Sequence, residues 1–294
     1  MARNRLKVLV TGGAGFIGAN LIKSLLSKGY DVLSMDDYST GSVNNHQFGC
    51  KYLNHSIVNI TEYPDVDVVF HLAALARIIP SFDNPAKYFS VNAQGTLNLA
   101  KWCADNNIPI IYAGSSSHHS GRFQNPYTFT KDIGEDVLTL FQKHYGLKCS
   151  IARFYNVYGP YHVKQGAYCT LLGNWEGRLE QGKELFIYGD GTKRRDFTHV
   201  NDIVNALELI YTKGQFGHIF ELGRGINYSV NEIAEMYNIL DRVKYTDDKP
   251  GEAQSTLCTD TLAKELLGWE PTENILNYIE TYKNENSSLY SSIH

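Results

Sequence analysis

The chain has 294 residues, 43% of them hydrophobic and 20% charged, enough to bury a sizeable core as one large domain or two coupled ones. Its 27 basic residues against 31 acidic ones give a formal net charge of -4, which is no electrostatic footprint for nucleic acid. Five cysteines, at 50, 103, 149, 169 and 258, are scattered without a Cys-x-x-Cys pair; they argue against a disulfide framework or a metal site and fit a reducing cytoplasm.

The N-terminus goes straight into an apolar strand, residues 6–11, so no secretory signal is expected, and no apolar run is long enough to span a bilayer. The strand meets Gly12, Gly15 and Gly18, and a helix pattern follows over 15–28. Glycines at i, i+3 and i+6 allow a tight turn, close backbone approach to a pyrophosphate, and packing of helix on strand. The helix N-terminus adds unpaired N–H groups and a partial positive charge. A second strand, 31–36, ends at Asp36, whose carboxylate can accept both ribose hydroxyls of an adenosine and would repel a 2′-phosphate. NAD is therefore expected rather than NADP.

Strands at 50–53, 67–71, 108–113 and 148–154 alternate with helices at 85–106 and 126–145. That alternation argues for βαβ units and an α/β fold of Rossmann type, a doubly wound parallel sheet with the nucleotide at the strands' carboxyl ends. Tyr127 and Lys131 share one face of the last helix, since i and i+4 are neighbours. A phenol of pKa ~10 is a poor base at neutral pH, and a nearby cation lowers that value. Beyond Gly159-Pro160 the rhythm changes. Residues 161–196 are rich in Gly, Tyr and charge; 201–212 reads as a helix, 218–222 as a strand, and short helices fall near 229–240 and 261–267. The expected division is 1–160 with 197–222 as the dinucleotide-binding domain, and 161–196 with 223–294 as a smaller C-terminal substrate-binding lobe. The polar tail after Glu285 is expected to fray.

These residues resemble the extended short-chain dehydrogenase/reductase family, within it the NAD-dependent nucleotide-sugar epimerases and dehydratases, and most closely the UDP-glucose 4-epimerase-like proteins. Further landmarks of the resemblance are His71-Leu72-Ala73-Ala74, Asn92-Ala93-Gln94-Gly95-Thr96, Arg153 to Pro160, Ile187 to Gly191 with Arg195-Asp196-Phe197, and Lys249-Pro250-Gly251-Glu252. They cover nearly the whole chain. The resemblance implies Tyr127 as general base and acid, Lys131 as its tuning cation and ribose ligand, and Ser116 as the hydroxyl that polarises the substrate oxygen. It implies Phe16 and Ile17 at the pyrophosphate, Leu72, Ala73 and Ala74 along NAD, and Asn92 and Tyr155 framing the nicotinamide. Ser56 and Ile57 stand at the adenine, where the family commonly has an aspartate first. On the sugar-nucleotide side it implies Asn156, Tyr188 near the base, and Arg195 at the diphosphate; Lys249 replaces a second arginine and loses its bidentate fork. His71 reads as a core residue. In the family the pair of helices corresponding to 85–106 and 126–145 forms a four-helix bundle between two subunits, so the resemblance implies a homodimer.

Two departures bear on the reaction. His119-Ser120-Gly121 replaces the family's Val-Tyr-Gly, and the connection from Ser116 to Tyr127 is short, which predicts a more open sugar pocket. A 4,6-dehydratase carries Asp-Glu directly after its catalytic threonine; Ser117-His118 stand here, without that acid and base. The shared triad suffices for C4 epimerisation of a nucleotide-diphosphate sugar, a UDP-hexose or UDP-N-acetylhexosamine, through a transient 4-keto sugar. The alternatives are a related epimerase or epimerase-reductase using His118 and His119, histidine being the side chain that titrates near neutrality, and a non-catalytic NAD-binding regulatory protein.

Overall fold

The computed structural model describes residues 5–60 and 62–290. Its first half runs β1 (Lys7–Thr11), α1 (Phe16–Ser27), β2 (Asp31–Asp36), β3 (Lys51–Asn54), β4 (Val68–His71), α2 (Ile78–Asp83), α3 (Pro85–Tyr88), a π-helical turn (Phe89–Gly95), α4 (Thr96–Asp105), β5 (Ile110–Ser115), α5 (Pro126–Tyr145) and β6 (Cys149–Phe154). The second half runs β7 (Val157–Tyr158), α6 (Leu171–Glu180), β8 (Leu185–Tyr188), β9 (Arg194–Asp196), β10 (Thr198–His199), α7 (Val200–Thr212), β11 (Ile219–Leu222), β12 (Asn227–Ser229), α8 (Val230–Met236), β13 (Val243–Thr246), α9 (Leu262–Leu267) and α10 (Ile275–Glu285).

Seven strands form one parallel sheet in the order β11-β6-β5-β4-β1-β2-β3. The chain winds outward from β1 to β3, then reverses and continues from β4 on the other side of β1. Such a reversal opens a crevice at the carboxyl ends of the strands. Strand alternation sorts the core onto two faces. Val8 and Val10 of β1 pack with Leu21 and Ile22 of α1 and Val204 and Leu207 of α7. Leu9 points the other way, to Leu99 of α4 and Leu138 of α5. Each such side chain is essentially fully buried, worth ~1.5–3 kcal/mol relative to exposure.

A third cluster lies outside the sheet, built around Trp175, Leu185, Ile187, Ile233, Tyr237, Ile275 and Ile279. Short pairings hold it: β8 with β13 in parallel and β9 with β12 antiparallel. Phe197 packs into this cluster, whereas α7 just after it packs on the sheet.

Among the described residues, three α-helices have no counterpart in the sequence analysis. They are α2, which carries Pro80 inside it, α6 and α10. The expected helix 85–106 is interrupted by the π turn that contains Asn92. The tail is also ordered further than expected: Ser287–Leu289 forms a 3-10 turn, and Leu289 and Tyr290 pack on the third cluster. Residues 291–294 of that tail lie outside the described residues. Among the described residues no helix is long and apolar enough to cross a membrane, and all five cysteines are free.

Candidate active site

One cleft runs along the carboxyl ends of the central strands. One wall contains Gly12, Gly15, Phe16, Ile17 and Gly18 from the first turn and Asp36 from β2. Ser56 and Ile57 follow β3, and Leu72, Ala73 and Ala74 follow β4 on the same wall. Gly12 and Gly18 are sterically required. Gly12 has φ +74°, and a Cβ there would stand 2.8 Å from the Ala73 amide nitrogen. A Cβ on Gly18 would stand 2.2 Å from the Gly12 carbonyl oxygen. Helix α1 starts at Gly15 without a side-chain cap, which leaves its first N–H groups to an outside acceptor. Asp36, nearly buried, accepts from the amides of Ala14 (3.0 Å) and Tyr38 (2.8 Å). Burial holds its carboxyl above the usual value despite those bonds. Each oxygen retains acceptor capacity for a ribose hydroxyl. An uncapped helix start, a backbone surface bare of side chains and a carboxylate at the second strand's end fit NAD.

The opposite wall carries Tyr127 and Lys131. Asn125 caps α5 by accepting from the Thr128 amide at 2.8 Å, and Pro126 opens the first turn, so Tyr127 is presented at the helix mouth. Lys131 is 4% exposed and its Nζ lies 4.0 Å from the centroid of the Tyr112 ring. Burial pushes the ammonium down to about 7, against the pull of Glu135 and Asp132. Burial also raises the Tyr127 phenol above its ordinary value; the Ser115 hydroxyl and the Arg77 guanidinium pull it back. Arg77 is the cation that draws the phenol down here, and the Lys131 head lies over the Tyr112 ring.

The serines do not follow simple strand alternation. β5 ends at Ser115 and the chain turns into a 3-10 helix, Ser116–Ser120. Ser115 caps that turn, its Oγ accepting from the Ser117 amide at 3.2 Å, and its hydroxyl is also the one beside the Tyr127 phenol. Ser116 is 8% exposed, and its hydroxyl makes no hydrogen bond among the described residues.

His118 and His119 leave the turn toward buried carboxylates. His118 Nδ1 meets Asp132 Oδ1 at 3.0 Å, and His119 Nε2 meets Glu221 Oε1 at 2.9 Å. Arg153 joins the same network, its guanidinium bonded to both oxygens of Glu135 and, at 2.9 Å, to Glu221. His118, Asp132 and Glu135 place ligand atoms within 4.8 Å of one another, but Arg153 already occupies the Glu135 carboxylate. The group reads as an ion-pair network.

Several expected contacts are placed away from the cleft. Asn92 is 1% exposed. Its amide ties the Leu75 backbone (2.9 and 3.1 Å) to Thr130 (3.2 Å), so it holds the cleft wall from behind. Tyr155 turns its hydroxyl to Glu221 (3.1 Å), and the neighbouring Phe154 reaches the cleft instead. His71 is a core residue as read: it bridges Thr11 (2.8 Å) and Thr96 (3.0 Å), and burial lowers its pKa to about 3.

The substrate-side candidates lie beyond this cleft. Asn156, at φ +25°, donates to the Asp196 carbonyl (3.0 Å) and Thr256 Oγ1 (3.1 Å). Arg195 bonds Glu252 at 3.3 Å, and Lys249 Nζ stands 3.4 Å from the Tyr188 ring centroid. The Gly251 carbonyl reaches Asn125 at 3.4 Å. The 249–252 segment therefore touches the short 116–127 connection at Asn125.

The sequence reading missed several cleft residues: Asp37, Ser39, Thr40 and His55 near Asp36, and Arg77 and Tyr168 near Tyr127. The first four follow strand ends, where position alone marks them as candidates. Arg77 carried no such signal.

Residues 8–223 match the model of the NAD dependent epimerase/dehydratase family. The chain is 30% identical to a putative UDP-glucose 4-epimerase of Methanocaldococcus jannaschii, over 95% of this chain and 99% of that one. Among solved structures, the UDP-glucose 4-epimerase of Thermotoga maritima with UDP-glucose superposes with a TM-score of 0.89 at 29% identity, covering 97% and 100% of the two chains. The UDP-glucuronic acid 4-epimerase of Bacillus cereus, in complex with UDP-glucuronic acid and NAD, superposes with a TM-score of 0.86 at 26% identity, again covering 97% and 100%. A matched family model over most of the chain, a cleft suited to NAD and a tyrosine–lysine wall facing it make this chain a member of the NAD-dependent epimerase/dehydratase family.

Proposed function

We propose that the protein inverts C4 of a UDP-linked sugar through a transient 4-keto sugar. The observation that carries this reading is the single cleft shared by the glycine turn, Asp36, Tyr127 and Lys131, with no carboxylate pair directly after Ser116. Tyr127, as phenolate, takes the proton of the C4 hydroxyl. NAD, held by the glycine turn and Asp36, would supply a reversible hydride acceptor for C4, and inversion follows when the keto sugar presents its other face. Tyr127 then returns its proton to the C4 oxygen, so atoms and electrons balance over the cycle. Positioned proton transfer of this kind is worth ~10²–10⁴-fold. Ser116, whose hydroxyl is uncommitted, is the proposed polariser of the C4 oxygen. Lys131 is the proposed ribose ligand.

Asn156, Tyr188, Arg195 and Lys249 are proposed to receive the sugar nucleotide, with the two cations at the diphosphate. Apart from Asn156, these residues lie in 161–196 and 223–294, the proposed substrate-binding lobe; 1–160 with 197–222 is the proposed NAD-binding domain. A homodimer through α4 and α5 is proposed on the exposed Leu140 (51%) and Tyr145 (63%) of α5. A cytoplasmic location is proposed on the five unpaired cysteines.

The test is incubation with UDP-sugars deuterated at C4, products being resolved by sugar stereochemistry. Inverted C4 with the label retained supports the reading. Loss of water from the sugar, or solvent deuterium appearing at C5, would overturn it.

A further inference from the structure

Two cations stand on the cleft wall, Lys131 and Arg77. Glu135 and Asp132 act on Lys131. The groups that act on Arg77 are Tyr127, Cys169, Tyr88 and Tyr168, none of them a carboxylate, and no carboxylate pairs with it among the described residues. Yet Arg77 is not a loose surface side chain. Its Nε donates to the carbonyls of Tyr168 (3.0 Å) and Cys169 (3.1 Å), and its Nη1 donates to the Ala76 carbonyl (2.8 Å). Its own carbonyl accepts from the Tyr88 hydroxyl at 2.8 Å, and the Tyr88 ring meets the Tyr127 ring edge-on at 6.5 Å. The guanidinium is thus held in the same cleft as the proposed proton carrier, with donors on Nη1 and Nη2 left over. Arg77 is half-buried without a carboxylate partner among the described residues, and a planar fork of this kind matches a carboxylate in two parallel bonds.

We infer that Arg77 receives a carboxylate on C5 of the sugar, so that the substrate is a UDP-linked uronic acid. The inference rests on the C4-epimerase reading: with Tyr127 at the C4 oxygen, the substituent of C5 is one carbon away. Two other sources of anionic oxygen have places elsewhere. A cofactor pyrophosphate belongs at the glycine turn, and the substrate diphosphate at Arg195 and Lys249. A primary alcohol at C6 would leave the guanidinium unpaired and would be the poorer ligand.

The test compares UDP-glucuronic acid with UDP-glucose on the NAD-loaded protein, by kcat/KM and by calorimetric Kd, in wild type, Arg77→Leu and Arg77→Lys. Melting temperature and bound NAD are measured beside each to show that the variants fold. Wild type is expected to favour UDP-glucuronic acid. Arg77→Leu should cut the ratio of the two kcat/KM values at least 100-fold, about 2.7 kcal/mol, and Arg77→Lys should restore part of it as a point charge without the fork. Equal loss on both sugars would overturn the inference, because a residue that only props the 168–169 backbone or binds the diphosphate serves both alike. A wild-type preference for UDP-glucose would overturn it whatever the variants do, while C4 inversion of UDP-glucose would leave the epimerase reading standing. Arg77-dependent binding of UDP-glucuronic acid without inversion at C4 would do the reverse.

Discussion

Lys131→Met isolates what it costs to keep a lysine in this wall. The folded state lowers the ammonium from the ordinary lysine value of 10.5 to about 7. Between those values the unfolded chain binds a proton that the folded chain does not, so stability rises with pH across that window. Below pH 7 both states are protonated and the folded protein bears the full cost of the buried charge. At about 1.4 kcal/mol per pKa unit that cost has a ceiling of roughly 5 kcal/mol. Methionine keeps most of the stem's packing, and the contact with Tyr112 that it forfeits is worth ~1 kcal/mol. Relaxation around the charge reduces the remainder. The ligand-free variant is therefore expected to be more stable than wild type by roughly 1–3 kcal/mol at pH 6, with the gap closing by pH 10. Urea unfolding of cofactor-stripped protein at pH 6, 8 and 10 measures it, and turnover by the same variant should be lost. Equal or lower stability at pH 6, or a gap that does not change with pH, would refute the reasoning.

Tyr127→Phe should keep the fold and NAD content while lowering kcat by ~10³ or more, since the ring still packs but carries no proton; near-normal turnover would point to another base. Ser115→Ala should move the rising, acidic limb of the pH–rate profile to higher pH, because the Ser115 hydroxyl favours the phenolate that acts as base, whereas Ser116→Ala should lower kcat without moving that limb. Wild type should bind NAD more tightly than NADP, and Asp36→Ala should narrow the difference; comparison of the two Kd values decides it. Gly18→Ala should lose NAD and melt lower, as its new Cβ would stand 2.2 Å from the Gly12 carbonyl oxygen and 2.7 Å from Gly13 Cα.

Much of the fold was legible because its signals are local. An apolar strand, glycines at fixed spacing and a helix pattern specify β1 and α1 within a dozen residues, and Asn125, Pro126 and Gly146 bracket α5 as written. The capping box of Ser229 and Glu232 likewise marks α8. The signal for α10 is local too: Ile275, Ile279 and Tyr282 recur at helical spacing behind the cap residue Asn274. Other features could not be read from neighbours in sequence. Whether Ser115 or Ser116 faces Tyr127 depends on where β5 stops pairing with β6. His118 and His119 find carboxylates on α5 and β11, the latter 102 positions away. Arg77 becomes a cleft cation only because the chain returns 91 positions later to offer it the Tyr168 carbonyl. Sequence alone determined the sheet, the dinucleotide turn and the tyrosine–lysine pair, since each is set by periodicity or by a short fixed spacing. Tertiary structure decided protonation and charge pairing in the cleft, because burial and long-range contacts set those energies.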